Sequence, residues 1–183
     1  IKNKKYLRKN SYLKPDNEKF IYFEKKLSNF DKKLKIGISW KSILNIYGNL
    51  KSLTINDFTH IFKKNRIIIN LQYGNINDEI NYLNKHRYKL INFDNINIFN
   101  DFDSTAAILK NLDLFITVSN STAHIAAALG IPTIVICPSI STTYYYWNIK
   151  NQNSYWYENV RVIPVKDTKL KTFKLIDEII LDF

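Results

Sequence analysis

Apolar positions along this chain recur in two periods, and segments of the two kinds alternate. Phe20, Phe23, Leu27 and Phe30 fall three and four apart within residues 16–30, which predicts an amphipathic helix after a basic connector at residues 1–15. A short apolar run at 34–40 reads as the first strand, and helical spacing returns at 55–64. Strand-like runs at 66–72 and 88–93 flank a helix at 77–87, and Asp103 stands where an N-cap would start a helix over 104–111. The unit that follows is the most informative: an apolar strand at 114–118, a cluster of small polar residues at 119–122, and an Ala-rich helix through Leu129. Ser121 is its expected N-cap, Gly130 its stop, and Pro132 forbids continuation. Beyond lie a strand at 133–137, an aromatic loop or short helix at 144–157, a strand at 160–165 and a closing helix at 172–183. That last helix carries Phe173, Ile176, Ile179 and Ile180 on one face.

This alternation predicts an α/β fold, a Rossmann-like parallel sheet with helices on both faces, spanning 34–183 after a connector and helix at 1–33. A chain of 183 residues that is 45% hydrophobic can bury one core. It has neither an apolar run long enough to cross a bilayer nor a secretory leader, and because it opens on Ile1 we expect it to be cut from something longer. Cys137, the one cysteine, lies in the apolar run 133–137 and reads as a buried thiol. The net charge of +11 is lopsided: residues 1–35 carry a surplus of eight, and the remainder only three. With no helix-turn-helix, zinc-ligand spacing or aromatic-basic RNA platform, nucleic acid is not the expected partner.

In open parallel sheets ligands bind beyond the carboxyl ends of the strands, so the residues at those ends are the candidate site. Ser39 and Lys41 follow the first strand, Gln72 the second, and Ser119, Asn120, Ser121 and Thr122 the signature strand, with His124 one turn into the helix. Free amides at a helix start, together with hydroxyls, suit a diphosphate, and Lys41 could neutralise its charge. Asp101 and Asp103 form a possible carboxylate pair, but Asp103 is explained as a cap. Neither the Gly-rich dinucleotide fingerprint nor the P-loop is present, which argues against a dehydrogenase or NTPase.

Four segments together resemble the C-terminal half of heptosyltransferase-like glycosyltransferases, especially bacterial members linked to tetratricopeptide repeats. They are KIGISWKS (35–42), IINLQYG (68–74), DFDSTAAILKNLDLFITVSNSTAHIAAALGIP (101–132) and SYWYENVRVIP (154–164). The resemblance implies the donor-binding half of a GT-B enzyme that is inverting and metal-independent and needs no cofactor. It would take a nucleotide-diphosphate sugar and pass the sugar to an acceptor hydroxyl. By carry-over, Ser39, Lys41, Ser121, Thr122 and His124 surround the diphosphate, and Gln72 lies near the nucleoside or sugar. The catalytic base would come from an N-terminal Rossmann-like domain, with tetratricopeptide repeats as a further part of the chain. The protein would be cytoplasmic or at the inner face of the membrane. Where the lipopolysaccharide heptosyltransferases read Asp-Thr/Ser-Gly, this chain has Ser119, Asn120 and Ser121. A binding module without chemistry is the alternative, and a nucleotide-sugar epimerase a third reading.

Overall fold

The computed structural model describes residues 11–30, 32–43, 47–93, 95–141 and 143–182. Most of the connector expected at 1–15, and Phe183 of the closing helix, fall outside them. Six parallel strands form the body of one sheet: β1 (Leu34–Ser39), β2 (Arg66–Asn70), β3 (Leu90–Ile91), β4 (Leu114–Val118), β5 (Thr133–Cys137) and β8 (Val160–Pro164). Between β5 and β8 the chain makes a small antiparallel hairpin, β6 (Trp147–Asn148) and β7 (Asn153–Ser154), which extends the sheet to the order β3-β2-β1-β4-β5-β8-β7-β6. The aromatic segment at 144–157 therefore holds strands, where a loop or short helix was expected.

Because β4 and β5 are buried on both faces, their side chains divide between two apolar layers. Ile36, Ile38, Leu114, Ile116, Ile134 and Ile136 point to one layer, which is covered by α3 (Ile55–Phe58), α4 (Asn77–Lys85) and α7 (Lys169–Ile180) through Phe58, Leu83, Phe173 and Ile176. Ile69, Leu71 and Phe115 point to the other. That layer is covered by α1 (Asn17–Leu27), α5 (Phe102–Lys110) and α6 (Ser121–Ala128), with Phe23, Leu27, Leu109 and Leu129. A further one-turn helix, α2 (Gly48–Lys51), follows β1 and had no periodic signal in the sequence.

The caps differ from expectation at two helix starts. Asp101, not Asp103, caps α5, accepting from the Ser104 amide at 2.9 Å and from its hydroxyl at 2.6 Å. The Lys19 ammonium, 2.7 Å away, and then Ser104 hold the Asp101 carboxyl down at about 2, and this pair ties α1 to α5. Asn120, not Ser121, caps α6, with its side chain accepting from the Ala123 amide at 3.1 Å. In both cases the helix begins earlier than the apolar periodicity shows, because a cap is selected by its reach to the third amide rather than by hydrophobic spacing. Gly130 ends α6 as expected, at φ +79°, a conformation that disfavours side chains.

Candidate functional site

The order β3-β2-β1-β4-β5-β8 of the parallel strands reverses between β1 and β4, and the carboxyl ends of those two strands form the crevice where such sheets bind ligands. Polar side chains stitch that edge together. The Asn120 amide donates to Ser39 Oγ at 2.9 Å, and the Ser39 hydroxyl in turn donates to Gln72 Oε1 at 3.1 Å. The same Gln72 oxygen accepts the backbone amides of Trp40 at 2.8 Å and Lys41 at 2.7 Å, while its Nε2 donates to the Tyr73 carbonyl at 2.9 Å. Asn70 continues the chain, accepting from the Gln72 amide at 2.9 Å and donating to Asn92 at 2.9 Å. Ser39, Gln72 and Asn120 are thus brought together, but as buried framework whose hydrogen-bonding capacity is largely taken up within the protein.

Next to this framework is the start of α6, where Ser121 is exposed and Thr122 buried. Ser121 and Thr122 are its first two residues; a helix supplies no internal acceptor for their amides, and neither hydroxyl is hydrogen-bonded among the described residues. Ser119 sits just below, its hydroxyl accepting the Trp147 indole N–H at 2.9 Å. His124 follows one turn later. Its ring lies 4.9 Å from that of Trp147 at an interplanar angle of 24°, and its Nδ1 is 3.2 Å from the Tyr157 hydroxyl. Burial lowers the His124 pKa, which favours neutral imidazole, and burial, followed by a hydrogen bond with Tyr12 that favours the neutral phenol, pushes Tyr157 up.

Lys41 does not have the environment expected of it, since its ammonium is ion-paired with Glu79. A second cation, missed in the sequence, ends α2, which follows β1. Lys51 is 3% exposed, and its Nζ lies 3.8 Å from the centre of the Tyr144 ring. Among the described residues it has no carboxylate partner. The loop that delivers it folds back on β1: the Leu53 amide donates to the Trp40 carbonyl at 2.8 Å, and the Ser52 hydroxyl donates to the Gly48 carbonyl at 2.7 Å. Gly48 is required there, because a Cβ would stand 2.6 Å from the Ser42 carbonyl oxygen. Nothing in a polar, aperiodic loop distinguishes Lys51 from the other lysines of a lysine-rich chain, so only its burial reveals it.

Beside the helix start, a cavity of about 300 Å³ is lined by Tyr73, Phe99, Phe102, Ser121 and Thr122. It adjoins one of about 400 Å³ lined by Gln72, Gly74, Asn92 and Asn97, and Tyr73 and Phe99, whose rings are 5.7 Å apart, border both. A further hollow of about 590 Å³ touches Leu114, Thr133 and Val160 at the amino ends of β4, β5 and β8, and so opens on the opposite edge from these side chains. Cys137 is buried, as expected, and burial raises its thiol to about 11, so it stays protonated and is not a nucleophile at neutral pH. Among the described residues no three His, Cys, Asp or Glu side chains cluster in a way that could hold a metal ion, and no helix is long and apolar enough to cross a membrane.

A Rossmann-like unit with its polar residues gathered at the β1–β4 switch point is the kind of half from which GT-B glycosyltransferases are built, and solved structures of that class share this fold. The chain superposes on a glycosyl transferase family 9 protein from Veillonella parvula with a TM-score of 0.60 at 15% identity, covering 91% of this chain and 46% of that one. It superposes on ADP-heptose lps heptosyltransferase II of Escherichia coli with a TM-score of 0.63 at 12% identity, covering 93% of this chain and 53% of that one. These neighbours match the heptosyltransferase-like resemblance carried by the motifs. In sequence, the chain is 26% identical over 153 residues to protein FlbA of Caulobacter vibrioides, an alignment covering 76% of this chain and 25% of that protein. It therefore spans a quarter of FlbA and about half of each glycosyltransferase chain. No family model matches the sequence.

Proposed function

We propose that this chain is the donor-binding half of an inverting, metal-independent glycosyltransferase that passes a sugar from a nucleotide diphosphate to an acceptor hydroxyl. The observation that carries the reading is the start of α6 at the switch point: exposed Ser121 and buried Thr122, whose amides have no acceptor within the helix, with His124 one turn on and the buried Lys51 on α2, which follows β1. The nucleoside would enter between Tyr73 and Phe99, and the diphosphate would lie across Ser121 and Thr122. Negative charge grows on the leaving diphosphate as the glycosidic bond breaks, and preorganised donors aimed at that charge lower the barrier by about 3–4 kcal/mol each in comparable sites. The base that takes the acceptor proton is assigned to an N-terminal Rossmann-like domain, with tetratricopeptide repeats as a further part of the protein and the cytoplasm, or the inner face of the membrane, as its location.

One observation favours a binding module without chemistry. Ser119 stands where the lipopolysaccharide heptosyltransferases carry a carboxylate, and its hydroxyl is already engaged by Trp147. Incubation with a panel of nucleotide sugars, followed by mass spectrometry, separates the readings. The chain alone is expected to bind donor and release no sugar, and the intact protein to transfer sugar with inversion. Transfer by the chain alone would place the base here, retention would exclude the inverting route, and an intact protein that binds without turnover would establish the module.

A further inference from the structure

Four aromatic side chains at one corner of the carboxyl edge stand in water: Tyr145 is 64% exposed, Tyr155 50%, Tyr144 45% and Trp156 37%. Contiguous apolar surface of this kind is uncommon on a folded domain unless it binds something. These rings are also ordered. Tyr144 stacks on Tyr146 at 5.3 Å and 19°, Tyr146 stacks on Trp156 at 4.2 Å and 22°, and Tyr145 meets Trp156 edge-on at 6.0 Å. The hairpin holds the stack in place. The Tyr155 amide and the Ser154 hydroxyl both donate to the Tyr146 carbonyl, at 3.0 and 3.2 Å, and the neighbouring Trp147 is anchored on Ser119.

The stack touches the buried Lys51 and, on α6, His124. Lys51 Nζ lies over Tyr144, and the His124 ring is 5.1 Å from Tyr146 and 5.9 Å from Trp156. The Tyr73–Phe99 cavity borders α6 through different residues, Ser121, Thr122 and Ile125. A nucleotide laid across α6 with its base in that cavity therefore brings whatever hangs from its outer phosphate to the rings. An aromatic face is apolar and electron-rich, with polar groups only at its rim, and so matches a sugar ring, which presents C–H bonds on its face and hydroxyls at its edge. We propose that Trp156, which ends the Tyr144–Tyr146–Trp156 stack and is 37% exposed, is the platform that takes the transferred sugar of the donor, with the ring of Tyr145 at its edge. This assignment rests on the nucleotide-sugar reading, and it explains why the aromatic segment is kept in water rather than in the core.

Calorimetry with UDP, GDP, UDP-glucose, UDP-N-acetylglucosamine and GDP-mannose tests it on the parent chain and on Trp156→Ala, Tyr145→Ala and Trp156→Phe. Trp156→Ala is expected to weaken the nucleotide sugar that binds the parent by about fivefold while changing the bare diphosphate less than about twofold, with Trp156→Phe recovering most of the loss. Tyr145 is so exposed that its removal leaves the fold intact, and Tyr145→Ala is expected to show the same selective loss in smaller measure. Equal effects on sugar and bare diphosphate, no effect on either, or a loss confined to association with a protein partner would overturn the platform. So would a parent that binds diphosphates but none of the nucleotide sugars. A parent that binds no nucleoside diphosphate would remove the donor reading itself, and the platform with it.

Discussion

Replacement of Gln72 by Ala is expected to destabilise the fold by about 3–5 kcal/mol, because it strips the common acceptor from three donors at once. The Trp40 and Lys41 amides and the Ser39 hydroxyl all end on Gln72 Oε1, and Gln72 itself is 2% exposed. The Tyr73 carbonyl loses its donor in the same step. Domains of this size are stable by only about 5–15 kcal/mol, so the urea midpoint should fall by roughly 2 M. A loss below about 1 kcal/mol would mean that the strand ends hold their shape without this side chain, and that the stitched edge is not what positions the site.

Lys51→Met is expected to separate stability from binding. An ammonium held at 3% exposure without a carboxylate is costly, and the Tyr144 face offsets only part of that cost. Methionine fills a similar volume without charge, so the thermal midpoint should hold or rise. Affinity for a nucleoside diphosphate should fall by about 10- to 100-fold, as for loss of a charge-assisted contact. Lys41→Ala, which opens an ion pair with Glu79, should cost binding much less. A Lys51→Met protein that melts earlier and binds as before would make Lys51 a packing residue.

Periodicity showed the parallel body of the sheet and the helices on its faces because each strand and helix buries a face of its own. β4 and β5 match their expected bounds, since both are fully buried and end abruptly at polar or proline punctuation. The hairpin of β6 and β7 was illegible for the converse reason: two-residue strands carry no period, and seven aromatic rings between 144 and 157 satisfy a helix, a loop or a core equally well. The candidate site was legible as a set of strand ends and not as a set of roles. Spacing put Ser39, Gln72 and Asn120 at one edge, but whether a side chain faces ligand or neighbour depends on partners far away in sequence, as with Asn120 and Ser39. For the same reason the sequence points to Lys41 and passes over Lys51: the two differ in what surrounds them, an ion pair with Glu79 against the Tyr144 ring, and nothing in the sequence around them records it.

The anion seat proposed on α6 is tested most directly by calorimetric titration of the chain with UDP, GDP and ADP beside uridine, guanosine and adenosine. At least one diphosphate is expected to bind more tightly than its nucleoside by about 100-fold or more, with the gap shrinking as salt is raised, since the contacts proposed at Ser121, Thr122 and Lys51 are to phosphate. Diphosphates that bind no better than their nucleosides would contradict the seat and reduce α6 to an element of packing.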